Sequence, residues 1–521
     1  MKYLLNTIKT CLILVLSTIL LGSICKKPFR STKEARGLWV TRWEWAIQND
    51  TDYVASQQQR IVEIFKKAKD AKMNFVVFQI RGNGDAFYHS QYEPWSNLLT
   101  GTVGKDPGWD PLRYALEQAR ICGLELHVWF NTFPAWRGTE PPPHTKPEQV
   151  YNAHPEWIIC DSNGKPMKLN EHYVNLSPGI PAVRHYIHNV AMDIVKNYDI
   201  DGFHFDYIRY PEGANKIGYS HDAVSVKLFN SPEGNPGNLG WEDWQRENTN
   251  IFVRKFYDEA TALKPWLKIS AAVIGKYDYS NWNGFHIVFQ DAKKWLSEGK
   301  MDFIAPMIYW QTDHPTAPFR KIVKDWLKNF IHDRYIFPGM MVNRLGSKKW
   351  PLKEVIKQIS YNRDLNNNGF LFFSYAGLLK AEKELEKKDF QHLANFPPMS
   401  WKDNKPPMDP GNLKVSFKQP TEVQLEWNAP DSTLEPTDIY RYNIYRSQKS
   451  TVDFMDARNL IHITATPDTV FYDSTVESGQ TYYYIVTALD RVNNESPPSA
   501  VLKVVVPQFV MVDSLKYFSA D

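Results

Sequence analysis

The feature that most limits how this chain can fold is a unit that recurs eight times. From Glu34 onward a short apolar run is followed by an amphipathic stretch. The runs are "RGLWVT" (36–41), "NFVVFQI" (74–80), "ELHVWFN" (125–131), "DGFHFDY" (201–207), "LKISAAV" (267–273), "MDFIAPMIYW" (301–310), "RYIFPGMMV" (334–342) and "GFLFFSYA" (369–376). They are apolar at successive positions, as strands buried on both faces of a parallel sheet must be. Between them, Ile61, Ile64, Phe65 and Ala68 keep helical spacing behind a capping box of Ser56 and Gln59. Val183, Ile187, Val190 and Ile194 form a second stripe, and further helices are expected near 110–122, 243–263, 291–299, 320–329, 353–363 and 376–388. Eight β-then-α units close into a (β/α)8 TIM barrel, an α/β fold predicted over residues 34–394. No Gly-rich phosphate turn follows the first run, which argues against a doubly wound dinucleotide sheet.

At 521 residues the chain outgrows the roughly 250–300 residues at which a single core stops expanding. The Pro-rich stretch "NFPPMSWKDNKPPMDPG" marks a stiff linker over 395–410. Beyond it, "EVQLEW", "RYNIYRS", "TVFYD", "QTYYYIVTALD" and "AVLKVVV" alternate with period two. Trp427, the "YNIYR" strand and "GQTYYYIVTALDRVNNES" resemble a fibronectin type III domain across 411–507. Such an all-β sandwich implies a spacer. Residues 508–521 form a tail without signal.

The first 25 residues read as a secretory signal, with Lys2 and Lys9 ahead of the apolar run Cys11–Leu21. "LLGSIC" is similar to a lipobox, which makes Cys25 a lipidation candidate and a membrane anchor, although Ile24 departs from the usual small residue. The expected location is therefore outside the cytoplasm, in the periplasm or at the outer membrane and cell surface. Cys122 and Cys160 fall at opposite ends of the predicted barrel, too far apart for a bridge. A net charge of +3 from 61 basic and 58 acidic side chains offers no surface for nucleic acid.

The long connections follow strands, at 131–179, 208–242 and 274–290, so the elaborated loops gather on the barrel's C-terminal face, where substrate sites form. If the fourth strand alternates, Phe203, Phe205 and Tyr207 share the face toward the helices, while His204 and Asp206 point into the mouth. Asp201, at the start of that strand, reads as a structural cap. Other strand ends bring Arg42, Trp43 and Glu44; Gln79 and Arg81; Trp129 and Asn131; and Tyr309, Trp310 and Asp313. Tyr207 and Arg209 continue the rim. Aromatic rings stack on sugar C–H faces while Arg, Asn and Gln read hydroxyls, and 18 Trp with 27 Tyr supply such rings freely.

Cleaving a glycosidic bond takes two carboxyl groups flanking it. Asp206 supplies the first, as nucleophile of a retaining mechanism. For the second, Asp291 ranks first, then Glu44 and Asp313, with Glu212 as a further option; Asp291 also suits the N-cap of its helix. The 14 His form no HEXXH and no metal-ligand pair on the first strand, so no metal or other cofactor is expected, and a metal-dependent deacetylase is the least supported alternative. There is no G-x-S-x-G elbow, and "IRGNGD" lacks phosphate-loop spacing. A non-catalytic, glycan-binding scaffold of the cell envelope is the competing reading.

Several separated motifs then converge. "EARGLWVTRWEW", "NFVVFQIRGNGDAFYHSQYEPWS", "DGFHFDYIRYP", "FQDAKKWLSEG" and "DFIAPMIYW" resemble, in the same order, the bacterial glycosyl-hydrolase-like family 10 proteins, over about residues 34–390. The resemblance implies an exported barrel enzyme cutting peptidoglycan glycan strands, and relevance for Asp206 and Asp291. One departure is local: Tyr207 stands where many relatives carry a second Asp. "DGF-x-FD" is also similar to alpha-amylase-like barrels, in which the Asp ending strand four is the nucleophile; His204 replaces their usual Arg.

Overall fold

The structure, a computed structural model, describes residues 31–47, 52–328, 334–348, 350–419, 421–430 and 439–508. The predicted leader with Cys25 and most of the tail lie outside the described residues.

Eight parallel strands close a barrel: β1 (Ala35–Val40), β2 (Phe75–Arg81), β3 (Glu125–Asn131), β4 (Gly202–Asp206), β5 (Lys268–Ile274), β6 (Phe303–Met307), β7 (Tyr335–Ile336 with Gly339–Met341) and β8 (Gly369–Phe373). β1 pairs with both β2 and β8, and β6 meets β7 at Gly339↔Met307. Pro338 has no N–H to donate and sits at the break in β7. Each strand is followed by its helix: α1 (Tyr53–Asp70), α2 (Pro111–Cys122), α3 (Pro181–Asn197), α4 (Trp241–Leu263), α5 (Ala292–Ser297), α6 (Phe319–Lys328), α7 (Leu352–Asp364) and α8 (Tyr375–Lys388). α1 starts a turn ahead of the expected Ser56–Gln59 box, because Asp52 accepts the Ala55 N–H at 3.2 Å and caps it there.

Strand alternation divides the side chains between two cores. Outward, Phe203 and Phe205 each lie 4.8 Å from the Phe256 ring of α4. Inward, Trp39, Phe75, Val77, Phe303, Phe337 and Leu371 fill the barrel. Gly202 faces the same interior, where a Cβ would overlap the His127 ring. The long loop after β3 folds back as an antiparallel hairpin, Pro134–Gly138 against Asn170–Asn175.

The C-terminal strands form two antiparallel sheets. One joins Gly411–Gln419, Glu422–Asn428 and Val470–Asp473; the other joins Leu460–Ile463, Ile439–Ser447, Thr481–Asp490 and Leu502–Val505. Trp427 meets Tyr442 edge to face at 5.3 Å in their shared core. The described residues from Ser31 onward form one compact unit, and the sandwich is not a free spacer. Val492, with Phe396 and Met399 of the linker, joins the barrel's interior cluster. Tyr440 Oη donates to Asp201 Oδ1 at 2.7 Å, Arg441 to the Gly123 carbonyl at 2.6 Å, and Lys268 Nζ to the Arg491 carbonyl at 2.9 Å. These contacts fall at strand starts, on the face opposite the mouth. Asp201 also accepts the Leu126 N–H at 2.9 Å, so it ties strand and sandwich together instead of capping a turn.

Candidate active site

Asp206 is the last residue of β4 and stands in register with Asn131 on β3. Alternation turns it inward, where it is 6% exposed. The strand stops at the next residue: Tyr207 takes a left-handed backbone with φ of +51°, a strained conformation for a bulky side chain. That turn aims the Tyr207 N–H at Asp206 Oδ1, 2.6 Å away. It also removes Tyr207 from the outward face that alternation predicts and makes its side chain a wall of the mouth.

Asp206 opens onto a cavity of about 290 Å³. Of the residues predicted to bind substrate, Arg42, Trp43, Gln79, Trp129, Asn131, Tyr207 and Tyr309 line it. Trp43 is half exposed, with the Arg42 guanidinium 4.7 Å and the Arg137 guanidinium 5.5 Å from its ring. Asn131 Oδ1 accepts the Trp129 indole N–H at 3.0 Å, and Gln79 Oε1 accepts the Arg42 N–H at 3.1 Å, so the polar groups are held in place before any ligand arrives. A second cavity of about 570 Å³ shares Tyr173 and Tyr207 with the first and takes in Arg209 and Glu212.

Burial dominates the electrostatics. It raises Asp206 to about 6, against the opposing pull of the Arg209 charge, the Tyr207 amide and the Trp129 indole. Burial, then the Asp206 charge, pushes Tyr309 well above the usual phenol value, leaving its hydroxyl a proton donor. Among the described residues Asp206 makes no ion pair, and Arg209 lies over the Tyr207 ring at 4.6 Å.

Other candidates stand elsewhere. Arg81 is fully buried in an ion pair with Glu93 at 2.5 Å and also bonds the carbonyls of Asn131 and Thr132, which makes it a brace beneath the rim. His204 lies one layer below Asp206, accepting the Trp39 indole N–H at 3.1 Å and bonded through Nδ1 to Ser270 Oγ at 2.8 Å. Burial and His127 hold it neutral, well below the usual imidazole value. Trp310 lies beside Lys276, 5.3 Å away, and does not line either cavity. Asp291 caps α5, accepting the Lys294 N–H at 3.3 Å and the Tyr277 hydroxyl at 2.6 Å. Glu44 is consumed by the turns after β1 and β8, and Asp313 is a half-exposed partner of Arg320 and Lys357. None of these three carboxyls lines either of the two cavities; Glu212 lines the larger.

Sequence reasoning passed over Trp39, Tyr173, Met307 and Phe373, which also line the smaller cavity. Tyr173 had a signal in "NEHYVN", whose alternation marks the hairpin strand that carries it. Among the described residues, no group of three or more His, Cys, Asp or Glu side chains is placed to hold a metal ion. Cys122 and Cys160 are free thiols.

The chain is 28% identical over 522 residues to the glycosyl hydrolase YngK of Bacillus subtilis (strain 168), across 93% of this chain and 96% of that protein. It is 26% identical over 371 residues to the glycosyl hydrolase DigH of Escherichia coli (strain K12), across 65% of this chain and 81% of that one. The solved glycoside hydrolase domain of PgaB (BpsB) from Bordetella bronchiseptica aligns at a TM-score of 0.49 and 12% identity, over 68% of this chain and 98% of that domain. The profile described as Glycosyl hydrolase-like 10 matches residues 34–350, well over half of the sequence. The chain belongs to the glycosyl hydrolase-like 10 family.

Proposed function

We propose that this protein is a glycoside hydrolase acting on a cell-wall polysaccharide, the glycan strands of peptidoglycan, with Asp206 as its nucleophile. The observation that carries the reading is the placement of Asp206: inward at the C-terminal end of a barrel strand, under a mouth walled by Trp43, Trp129 and Tyr309. A carboxyl raised to about 6 is ionised at neutral pH yet more basic than an ordinary aspartate, which suits attack on an anomeric carbon. Glu212, on the adjoining cavity, takes the part of acid and base in this scheme. The Asp206 carboxylate bonds to the anomeric carbon as the glycosidic C–O bond breaks, and Glu212 gives its proton to the leaving oxygen. Water then cleaves the glycosyl ester, passing a proton back to Glu212. The leader pattern and Cys25 support export, with a lipid anchor at the envelope.

The test is incubation of purified protein with intact and peptide-free cell-wall glycans, products being weighed by mass spectrometry. Wild type shortens the strands, and Asp206→Asn loses activity by about 10²–10⁴-fold. NMR of the first product reads retained configuration if Asp206 is the nucleophile. Unchanged turnover by Asp206→Asn removes its assignment; unchanged glycan length with wild type leaves the scaffold reading.

A further inference from the structure

Charge is unevenly spread along this chain. Ten Lys and Arg but only three Asp and Glu fall between Phe319 and Lys357, in a molecule whose total is +3. These residues belong to α6, α7 and the connection that joins them through β7. On α6 the helical period sorts them: Phe319, Ile322, Val323 and Trp326 are buried against the barrel, while Arg320, Lys321, Lys324 and Lys328 are exposed. Lys353 and Lys357, one turn apart, are exposed on α7, and Arg344 and Lys348 are exposed on the loop ahead of it. The two helices present one face, because Asp313 pairs with Arg320 of α6 at 2.9 Å and also with Lys357 of α7. The acids described within the stretch do not neutralise it. Asp325 turns to Lys293 on α5, 3.6 Å away, and Glu354 accepts from Thr312 and Gln358. Among the described residues, Lys321, Lys324, Lys328, Arg344, Lys348 and Lys353 make no ion pair.

Among the described residues, none of the large apolar or aromatic side chains left exposed lies on this face. A single strand of nucleic acid is tracked by a groove with rings on which its bases stack, and a surface that enters a bilayer needs exposed apolar groups. Cations set in parallel rows on two packed helices, without rings, suit a flat array of fixed negative charge instead. We propose that the α6–α7 face is a docking surface for an anionic lipid bilayer, held by electrostatics alone. Each of these helices follows its strand, so both begin at the mouth end of the barrel. A bilayer lying along them runs beside the barrel and leaves the mouth open to the side. The contact needs neither cleavage of a glycan nor acylation of Cys25.

Cosedimentation with vesicles tests it on the chain from Ser31 onward, the compact unit without the leader. Vesicles of phosphatidylcholine alone are compared with vesicles that also carry phosphatidylglycerol. The protein binds the second kind only, and added salt weakens the binding. Lys321→Glu, Lys324→Glu and Lys328→Glu together lower the affinity by about a hundredfold, at roughly fivefold per cation. Lys66→Glu, Lys383→Glu and Lys387→Glu, at exposed positions of α1 and α8, change the net charge equally and lower it less than about threefold. Circular dichroism and thermal melts show which variants are folded. If the helix variants are not, Arg344→Gln with Lys348→Gln in the loop reads the same contact as a loss of about twentyfold. Equal losses from the two triple variants reduce the effect to net charge and overturn the proposal, as does equal binding to both kinds of vesicle. Polyphosphate is the competing probe: if it binds more tightly per phosphate than the vesicles do, the face serves a linear polyanion and the bilayer assignment is wrong.

Discussion

At Asp206 the fold holds a carboxyl where its charged form is disfavoured, and that has a thermodynamic sign. Its value in the folded protein, about 6, lies above the ordinary 3.8, so the folded state binds the proton more tightly than the unfolded chain does. Stability therefore rises as pH falls from 6 toward 3.8, and the full burial penalty is present above 6. Asp206→Asn should stabilise the protein by about 1–3 kcal/mol at pH near 8, with the gain gone below 3.8, as thermal melts across pH would show. Activity runs the other way, because the nucleophile must be ionised: kcat/KM falls as pH drops through about 6. A second residue-scale test concerns Gly82, where a Cβ would sit 2.5 Å from Arg42 Nη1. Arg42 donates to Tyr173 Oη at 3.0 Å and backs the Trp43 ring, so Gly82→Ala should displace the guanidinium and loosen that platform. The expected result is KM raised about tenfold with kcat little changed, from steady-state kinetics on soluble glycan.

Among the elements, the seam between β1 and β8 is fastened beyond its last ladder pair by one side chain. Glu44 accepts from Thr41 N and Oγ1 at 2.8 and 3.1 Å, and from Ser374 Oγ and Ala376 N at 2.7 and 2.8 Å. Glu44→Ala removes all four bonds and should lower stability by about 2–4 kcal/mol in urea melts, Glu44→Gln by roughly half that, since an amide keeps only one accepting oxygen. Glu44 also shows where sequence reading ran out. Strand positions were legible because burial on both faces writes apolar residues at every position, and the eight strands lie where the runs placed them. The inward turn of Asp206 followed from the period of two. Which strand-end carboxyl stays open to substrate did not, because Glu44, Asp291 and Asp313 differ in their hydrogen-bond partners, and those come from residues far along the chain or on neighbouring turns. Tyr207 escaped the alternation because a left-handed backbone ends the strand early, and nothing in "FDYIRYP" announces a positive φ at a tyrosine. Tyr173 reaches the cavity through a hairpin inside a long loop, a pairing of distant segments.

Over the whole molecule, the sandwich closes the end of the barrel that the active-site loops leave alone. A barrel bottom normally ends in solvent; here it holds a buried Lys268–Glu125 pair at 3.2 Å, with His127 3.1 Å from the same carboxylate. Asn493 of the sandwich donates to Glu125 Oε1 at 3.0 Å, and the Arg491 carbonyl accepts a hydrogen bond from Lys268 Nζ at 2.9 Å. Burial alone would raise Glu125, but Lys268 first and His127 next outweigh it and hold the carboxyl at about 2. The value lies below the ordinary 4.5, so the stability contributed is complete above 4.5 and disappears as pH falls toward 2. Acid should therefore loosen barrel and sandwich together, seen as coincident loss of tryptophan fluorescence from both. The pair itself is tested by taking it apart. Lys268→Met leaves Glu125 buried with its main countercharge gone and should cost about 3–5 kcal/mol; adding Glu125→Gln, which has no charge to compensate, should recover a large part of that loss. If single and double variants unfold at the same denaturant concentration, Glu125 draws its countercharge from Arg441 of the sandwich instead, and the docking contact, more than the barrel's own lysine, is what keeps that carboxylate ionised.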